Sequence, residues 1–301
     1  MAASTEQRQL TSLLSNATLS RVERLRIAMP RLFTDRRRGE HTSGRSGTSN
    51  EFSDFRNYVS GDDVRFVDWN IFARLNRPYI KLYMQEEEMN VAIFVDASTS
   101  MLFEGKFELA CRLAAAFGVM GLFGGERVSV YGLNQAGRQP ASLLNRTGRS
   151  SMASLFRFLE SLDGGGDLPV EEGIESALKR HVGRGIAIII SDFLSFGDLR
   201  RAFNLLFSSG MVPCAIHVLG PSELDPELSG DSRLVDSETN ENLDVTCSGD
   251  LVDLYHEYRQ EHERTVSLLC RQRSGRFAAL DSSTSVEDIL FDMLRRGGWL
   301  R

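Results

Sequence analysis

Val91-Ala92-Ile93-Phe94-Val95-Asp96-Ala97-Ser98-Thr99-Ser100 is the stretch on which the fold turns. Five apolar residues, three of them β-branched, end abruptly on one carboxylate and two hydroxyls at alternate positions. A short apolar run closed by a polar cluster predicts a parallel strand buried on both faces. The pattern recurs at Ile186-Ala187-Ile188-Ile189-Ile190, followed by Ser191-Asp192. If both strands are parallel, Asp96 and Asp192 share one rim, at the carboxyl ends of the strands, where open α/β sheets bind ligands. Asp96, Ser98 and Ser100 form a hard-oxygen array suited to Mg²⁺ or Mn²⁺, and an adjacent acid at Asp192 makes a cation more favourable still. The competing reading is that Asp96 caps the next turn and Asp192 merely ends a strand.

Working outward, apolar residues at 3.6-residue spacing predict a helix over residues 106–123, then a strand over 128–133 and an edge hairpin near 138–144. Helices over 150–162, 170–180 and 198–208 alternate with strands over 186–190 and 212–219. That rhythm predicts an α/β fold with a doubly wound, mainly parallel sheet of Rossmann type. Residues 221–247 interrupt it as an insertion with a small hairpin over 233–245. A long helix over 250–273, a strand over 276–280 and a last helix over 286–296 close the domain.

Three regions are expected: residues 1–50, with a helix over 6–33 and an exposed loop; residues 51–89; and the α/β domain over 90–301. The middle region alternates aromatics with charges, and aromatics at that density are expected to be buried in a compact subdomain.

The chain has 301 residues, 42% of them hydrophobic, enough for one full α/β core and an extension. Its net charge of −6 is uneven, with +5 over residues 21–81 and −11 over 82–301. Arg36-Arg37-Arg38 is too short, and too poor in interleaved aromatics, to argue for nucleic acid. The four cysteines form no C-x-x-C pair and read as buried reduced thiols. With no apolar run of about 18 residues and no leader-like start, the expectation is a cytoplasmic protein without an integral membrane segment.

Asp96, Ser98, Ser100, the glycine-rich loop over residues 164–167 and Asp192 together resemble the metal-ion-dependent adhesion site (MIDAS) of von Willebrand factor type A (vWA) domains. Upstream, Phe52-Ser53-Asp54-Phe55-Arg56, Tyr58, Gly61-Asp62-Asp63-Val64-Arg65, Asp68-Trp69 and Ala73-Arg74, followed by Glu86-Glu87-Glu88, resemble the signature of the bacterial Domain of Unknown Function 58 family. The resemblance implies a vWA-like domain in an adaptor beside a MoxR-type AAA+ ATPase, handling client proteins, with Mg²⁺ or Mn²⁺ at the rim. It makes Arg56, Tyr58, Asp62, Asp63, Arg65, Asp68, Trp69 and Arg74 candidate partner-binding residues. One departure stands out: where the pattern expects threonine, this chain has Gly166, and Asp167 is the candidate substitute ligand.

Two other readings compete. A metal-free structural scaffold is one. The other is a phosphatase of the haloacid dehalogenase type with Asp96 as nucleophile, but the second acid such an enzyme needs is replaced by Ser98. No serine nucleophile elbow or phosphate-binding loop sits at the strand ends, so a non-enzyme is expected.

Overall fold

The computed structural model describes residues 9–28, 52–83, 89–135, 140–194, 197–226, 231–235, 242–246 and 249–301. The expectations for the loop over 35–50, Arg36–Arg38, Glu86–Glu88 and Cys247 lie outside the described residues. The chain divides into two compact units, Met1–Asp35 with Met89–Arg301, and Arg36–Glu88. The described amino-terminal residues, 9–28, fall within the first of these units.

Within that segment the expected long helix is corrected to a short one, α1 (Asn16–Val22). Ser15 starts it late by accepting the Thr18 N–H at 3.1 Å, a side-chain N-cap that satisfies an otherwise orphaned donor. Beyond α1, the Arg26 N–H donates to the Arg301 carbonyl, so the chain there pairs with the carboxyl terminus instead of continuing as helix.

The small unit contains β1 (Phe52–Asn57), α2 (Trp69–Leu75) and β2 (Tyr79–Tyr83), with β1 and β2 antiparallel. Asp68 starts α2 by accepting the N–H groups of Asn70 and Ile71. The expected burial of its aromatics is corrected: Trp69, Phe66 and Phe55 are exposed. Two strands and one short helix have too little second layer to cover so many rings.

In the large unit follow β3 (Asn90–Asp96), α3 (Lys106–Gly124), β4 (Arg127–Leu133), β5 (Ala141–Arg146), α4 (Met152–Glu160), α5 (Val170–Leu178) and β6 (Gly185–Ser191). Then come α6 (Leu199–Ser208), β7 (Met211–Leu219), α7 (Pro221–Leu224), β8 (Asp231–Val235), β9 (Asn242–Thr246), α8 (Gly249–Arg271) and β10 (Phe277–Asp281). The main sheet runs β10-β7-β6-β3-β4-β5, parallel except for β5 at the edge. This is a doubly wound, mainly parallel α/β sheet. The hairpin of β8 and β9 lies where the insertion was expected. The expected last helix is broken by a π turn at Ile289–Met293.

Alternation along β3 divides the core. Val91, Ile93 and Val95 pack with α1, α3 and α4, whereas Ala92 and Phe94 pack with α5, α6 and α8. Helix α3 lies close on the sheet at Gly121, which leaves room for Val128, and close on α4 at Gly118, which leaves room for Leu155; a Cβ at either would come within 2.7 Å of them. Three of the cysteines, Cys111, Cys214 and Cys270, are buried free thiols.

Candidate functional site

Parallel pairing of β3 with β6, in register from Asn90–Gly185 to Val95–Ile190, sets the two strand ends side by side. Asp96 is 2% exposed and Asp192 1%, so both expected acids lie beneath the rim rather than on it. Ser98 and Ser100 are buried beside them, their hydroxyls 3.1 Å apart.

Asp96 is surrounded by donors. Its Oδ1 accepts the Ser98 N–H at 3.0 Å and the Asn134 amide at 3.0 Å, and its Oδ2 accepts the Ser191 hydroxyl at 2.6 Å. Burial first, and then the charge of Asp192, push its pKa up to about 6 against the pull of these donors. Ser191 Oγ in turn accepts the Phe193 N–H at 2.8 Å, which fixes it in place.

Asp192 faces a cation. The Lys106 ammonium is 2.8 Å from Asp192 Oδ2 and 2.6 Å from Glu223 Oε1, and Lys106 has no solvent exposure. Burial opposes its charge, but the charge of Asp192 and the hydrogen bonds to Asp192 and Glu223 outweigh that, and its pKa is raised. Glu223 is anchored by accepting the Gly220 N–H at 2.7 Å. Three of the six described non-glycine residues with positive φ are Glu104, Asn134 and Phe193, all on the loops that build this rim. Such conformations persist only where surrounding bonds hold them. Glu104 is held by Ser222, whose N–H and hydroxyl donate to its carboxylate, and by Ser282, whose hydroxyl donates to its carbonyl.

The glycine-rich loop closes the rim differently from a threonine-bearing one. Gly166 donates to the Asn134 carbonyl at 2.8 Å, and a Cβ at Gly166 would lie 2.1 Å from that oxygen. No β-carbon fits, so neither does a threonine hydroxyl. Asp167, the expected substitute ligand, is exposed and lines a cleft of about 820 Å³ with Asn134, Gln135, Glu172 and Lys179.

As folded, the two acids and the glycine loop leave few oxygens for a divalent ion beyond the hydroxyls of Ser98 and Ser100. Three of roughly four lone-pair positions on Asp96 receive donors, one Asp192 oxygen receives an ammonium, and the glycine loop offers no side-chain oxygen at position 166. Among the described residues no group of three His, Cys, Asp or Glu side chains is arranged to hold a metal.

Sequence reading found Asp96, Ser98, Ser100 and Asp192 but missed Lys106, Asn134 and Glu223. Lys106 carried a signal, a cation at the head of a mostly apolar helix. Around the buried centre the same loops expose Leu102, Phe103, Leu168 and Leu194, each more than half exposed.

The candidate partner-binding residues all lie in the small unit. Asp62 holds Arg56 through two bonds of 2.6 and 2.7 Å; the Arg56 hydrogen bond and the Val59 N–H lower its pKa to about 2. Asp63 pairs with Arg65 at 2.6 Å, and Asp68 pairs with Lys81 at 3.0 Å while capping α2. Trp69 packs edge-on against Phe72 at 5.9 Å and stays exposed; Tyr58 is half-buried and Arg74 exposed.

Residues 54–265 match the family described as "Protein of unknown function DUF58". "Uncharacterized protein Rv1480" of Mycobacterium tuberculosis is 30% identical over 268 residues, 85% of this chain and 81% of the relative. Among solved structures, an aerotolerance-related membrane protein from Bacteroides fragilis is 21% identical with a TM-score of 0.42, covering 69% of this chain and 99% of that one. The SpRpn10 VWA domain is 14% identical with a TM-score of 0.38, covering 68% and 94%.

One expectation is corrected by these findings. Similar solved chains are described as membrane proteins, so the cytoplasmic placement is withdrawn. Residues Ser100–Gly124 are also long and apolar enough to cross a membrane by length and composition, although 72% of that apolar window is buried inside the molecule.

Proposed function

Because this chain belongs to the DUF58 family, we propose that it is a non-enzymatic protein-interaction module, an adaptor that works beside a MoxR-type AAA+ ATPase and presents client proteins to it. The observation that carries the interaction reading is the collar of Leu102, Phe103, Leu168 and Leu194, exposed on loops at one end of the sheet. Clustered exposed apolar side chains around a polar centre are characteristic of protein-docking faces. The partner itself is supported by the sequence resemblance over residues 52–101.

Of the two forms expected, metal-dependent and metal-free, the second is favoured. The polar centre under the collar is already hydrogen-bonded and ion-paired within the chain, so docking needs no bridging ion. The same closure argues against the phosphatase reading, since Asp96 is buried with donors on both oxygens.

Immobilised full-length chain is mixed with a purified MoxR-type ATPase in Mg-ATP. Retention of the ATPase is expected; its passage through the column unretained would remove the partner from the proposal. An aryl phosphate assay covers the enzyme class: turnover lost in Asp96→Asn would replace the adaptor reading with catalysis.

A further inference from the structure

Asp192 and Glu223 have an internal counter-ion, whereas Asp96 is held by hydroxyl, amide and backbone donors. Lys106 is the first residue of α3, where the helix dipole is positive and a cation is disfavoured. Helix stability therefore does not account for a lysine here. Two successive left-handed residues, Glu104 (φ 46°) and Gly105 (φ 72°), separate the preceding 3₁₀ turn from α3. The side chain that follows is wholly buried between Asp192 and Glu223. An unpaired buried ammonium is costly, and here two carboxylates at hydrogen-bond distance offset the cost.

Glu223 serves the arrangement from a distant part of the chain. One of its oxygens accepts the Gly220 N–H and the other accepts Lys106, so a single carboxylate anchors the start of α7 and the ammonium together. The remaining Asp192 oxygen accepts the Leu194 N–H at 3.2 Å.

We infer that Lys106 is a permanent replacement for the divalent cation at this strand-end rim, a covalently attached positive charge that keeps Asp192 and Glu223 compensated without metal. The inference is independent of which partner docks at the collar. It assigns Lys106 and Glu223 to the site, and it accounts for Gly166: with the charge supplied from within, the glycine loop has no ligand to provide and can pack its backbone against Asn134.

The test is Mn²⁺ uptake by full-length, chelator-treated protein, followed by the electron paramagnetic resonance signal of free Mn²⁺. Wild type is expected to remove no more Mn²⁺ than Asp192→Asn does, and Lys106→Ser to bind about one Mn²⁺ per chain at least tenfold more tightly than wild type. Adding Asp192→Asn to Lys106→Ser should abolish that gain. Stoichiometric uptake by wild type that is lost in Asp192→Asn overturns the inference, and so does a folded Lys106→Ser that gains no affinity. Should Lys106→Ser fail to fold, the wild-type and Asp192→Asn comparison decides alone.

Discussion

Lys106 Nζ lies 2.8 Å from Asp192 Oδ2, and neither side chain reaches solvent. The two residues are 86 positions apart in the chain, yet they form the electrostatic centre of the rim. Breaking a buried pair by removing one partner typically costs about 3–5 kcal/mol, because the other charge is left uncompensated. Lys106→Met should therefore destabilise the chain by about that much. Lys106→Met with Asp192→Asn should recover part of the loss, which chemical denaturation of the four proteins in the cycle measures. Strict additivity of the two substitutions would mean that the pair is not coupled.

Gly166→Thr restores the residue expected from the adhesion-site pattern. Because its Cβ would meet the Asn134 carbonyl at 2.1 Å, the substitution should cost about 1–3 kcal/mol or more and give no gain in Mn²⁺ affinity. A stable variant with tighter Mn²⁺ binding would show that the loop can open into a metal site.

Acid should act on His217 and Asp96 with opposite sign. His217 is buried beside Phe193 and His262; burial first, then the charge of His262, lower its pKa from 6.5 to about 4. The unfolded chain takes up this proton first as pH falls, so the stability tied to neutral His217 is full above about 6.5 and is lost as pH falls through about 4. The amount is on the order of 3 kcal/mol. Asp96 has its pKa raised to about 6, so there the folded chain protonates first and gains stability as pH falls from about 6 toward the usual carboxylate value of 3.8. Compared with wild type at pH 7 and 4.5, His217→Leu should lose less stability in acid and Asp96→Asn more. Identical pH slopes in all three proteins would contradict both assignments.

The strand-end acids were legible because each closes a run of apolar residues, and a buried parallel strand leaves such a mark locally. Lys106 and Glu223 were not, since their roles depend on Asp192, which lies far from both in sequence. The threonine gap at Gly166 was visible, but its meaning was not: a missing ligand and a backbone that excludes any β-carbon look the same until the Asn134 carbonyl is placed. Asp167 was legible only as the acid next to Gly166; its exposure, and its place in a cleft with Asn134 and Lys179, depend on the fold. In the small unit, aromatic density was read as burial, whereas so few elements leave Trp69 and Phe66 exposed. The N-terminal helix is shorter than its leucine spacing suggests because Leu10, Leu13 and Leu14 precede the Ser15 N-cap, and the helix closes at Glu23.

The most direct measurement is the affinity of a MoxR-type ATPase for wild type, for Leu168→Asp with Leu194→Asp, and for Val182→Asp, at constant Mg-ATP. Leu168 and Leu194 belong to the collar, whereas Val182 is exposed at the opposite, amino end of β6. All three positions are at least half exposed, so each substitution should change stability by no more than about 0.5 kcal/mol. The account predicts at least a tenfold loss of affinity for the collar pair and none for Val182→Asp. Equal affinity in all three proteins, or no binding by wild type, would contradict it.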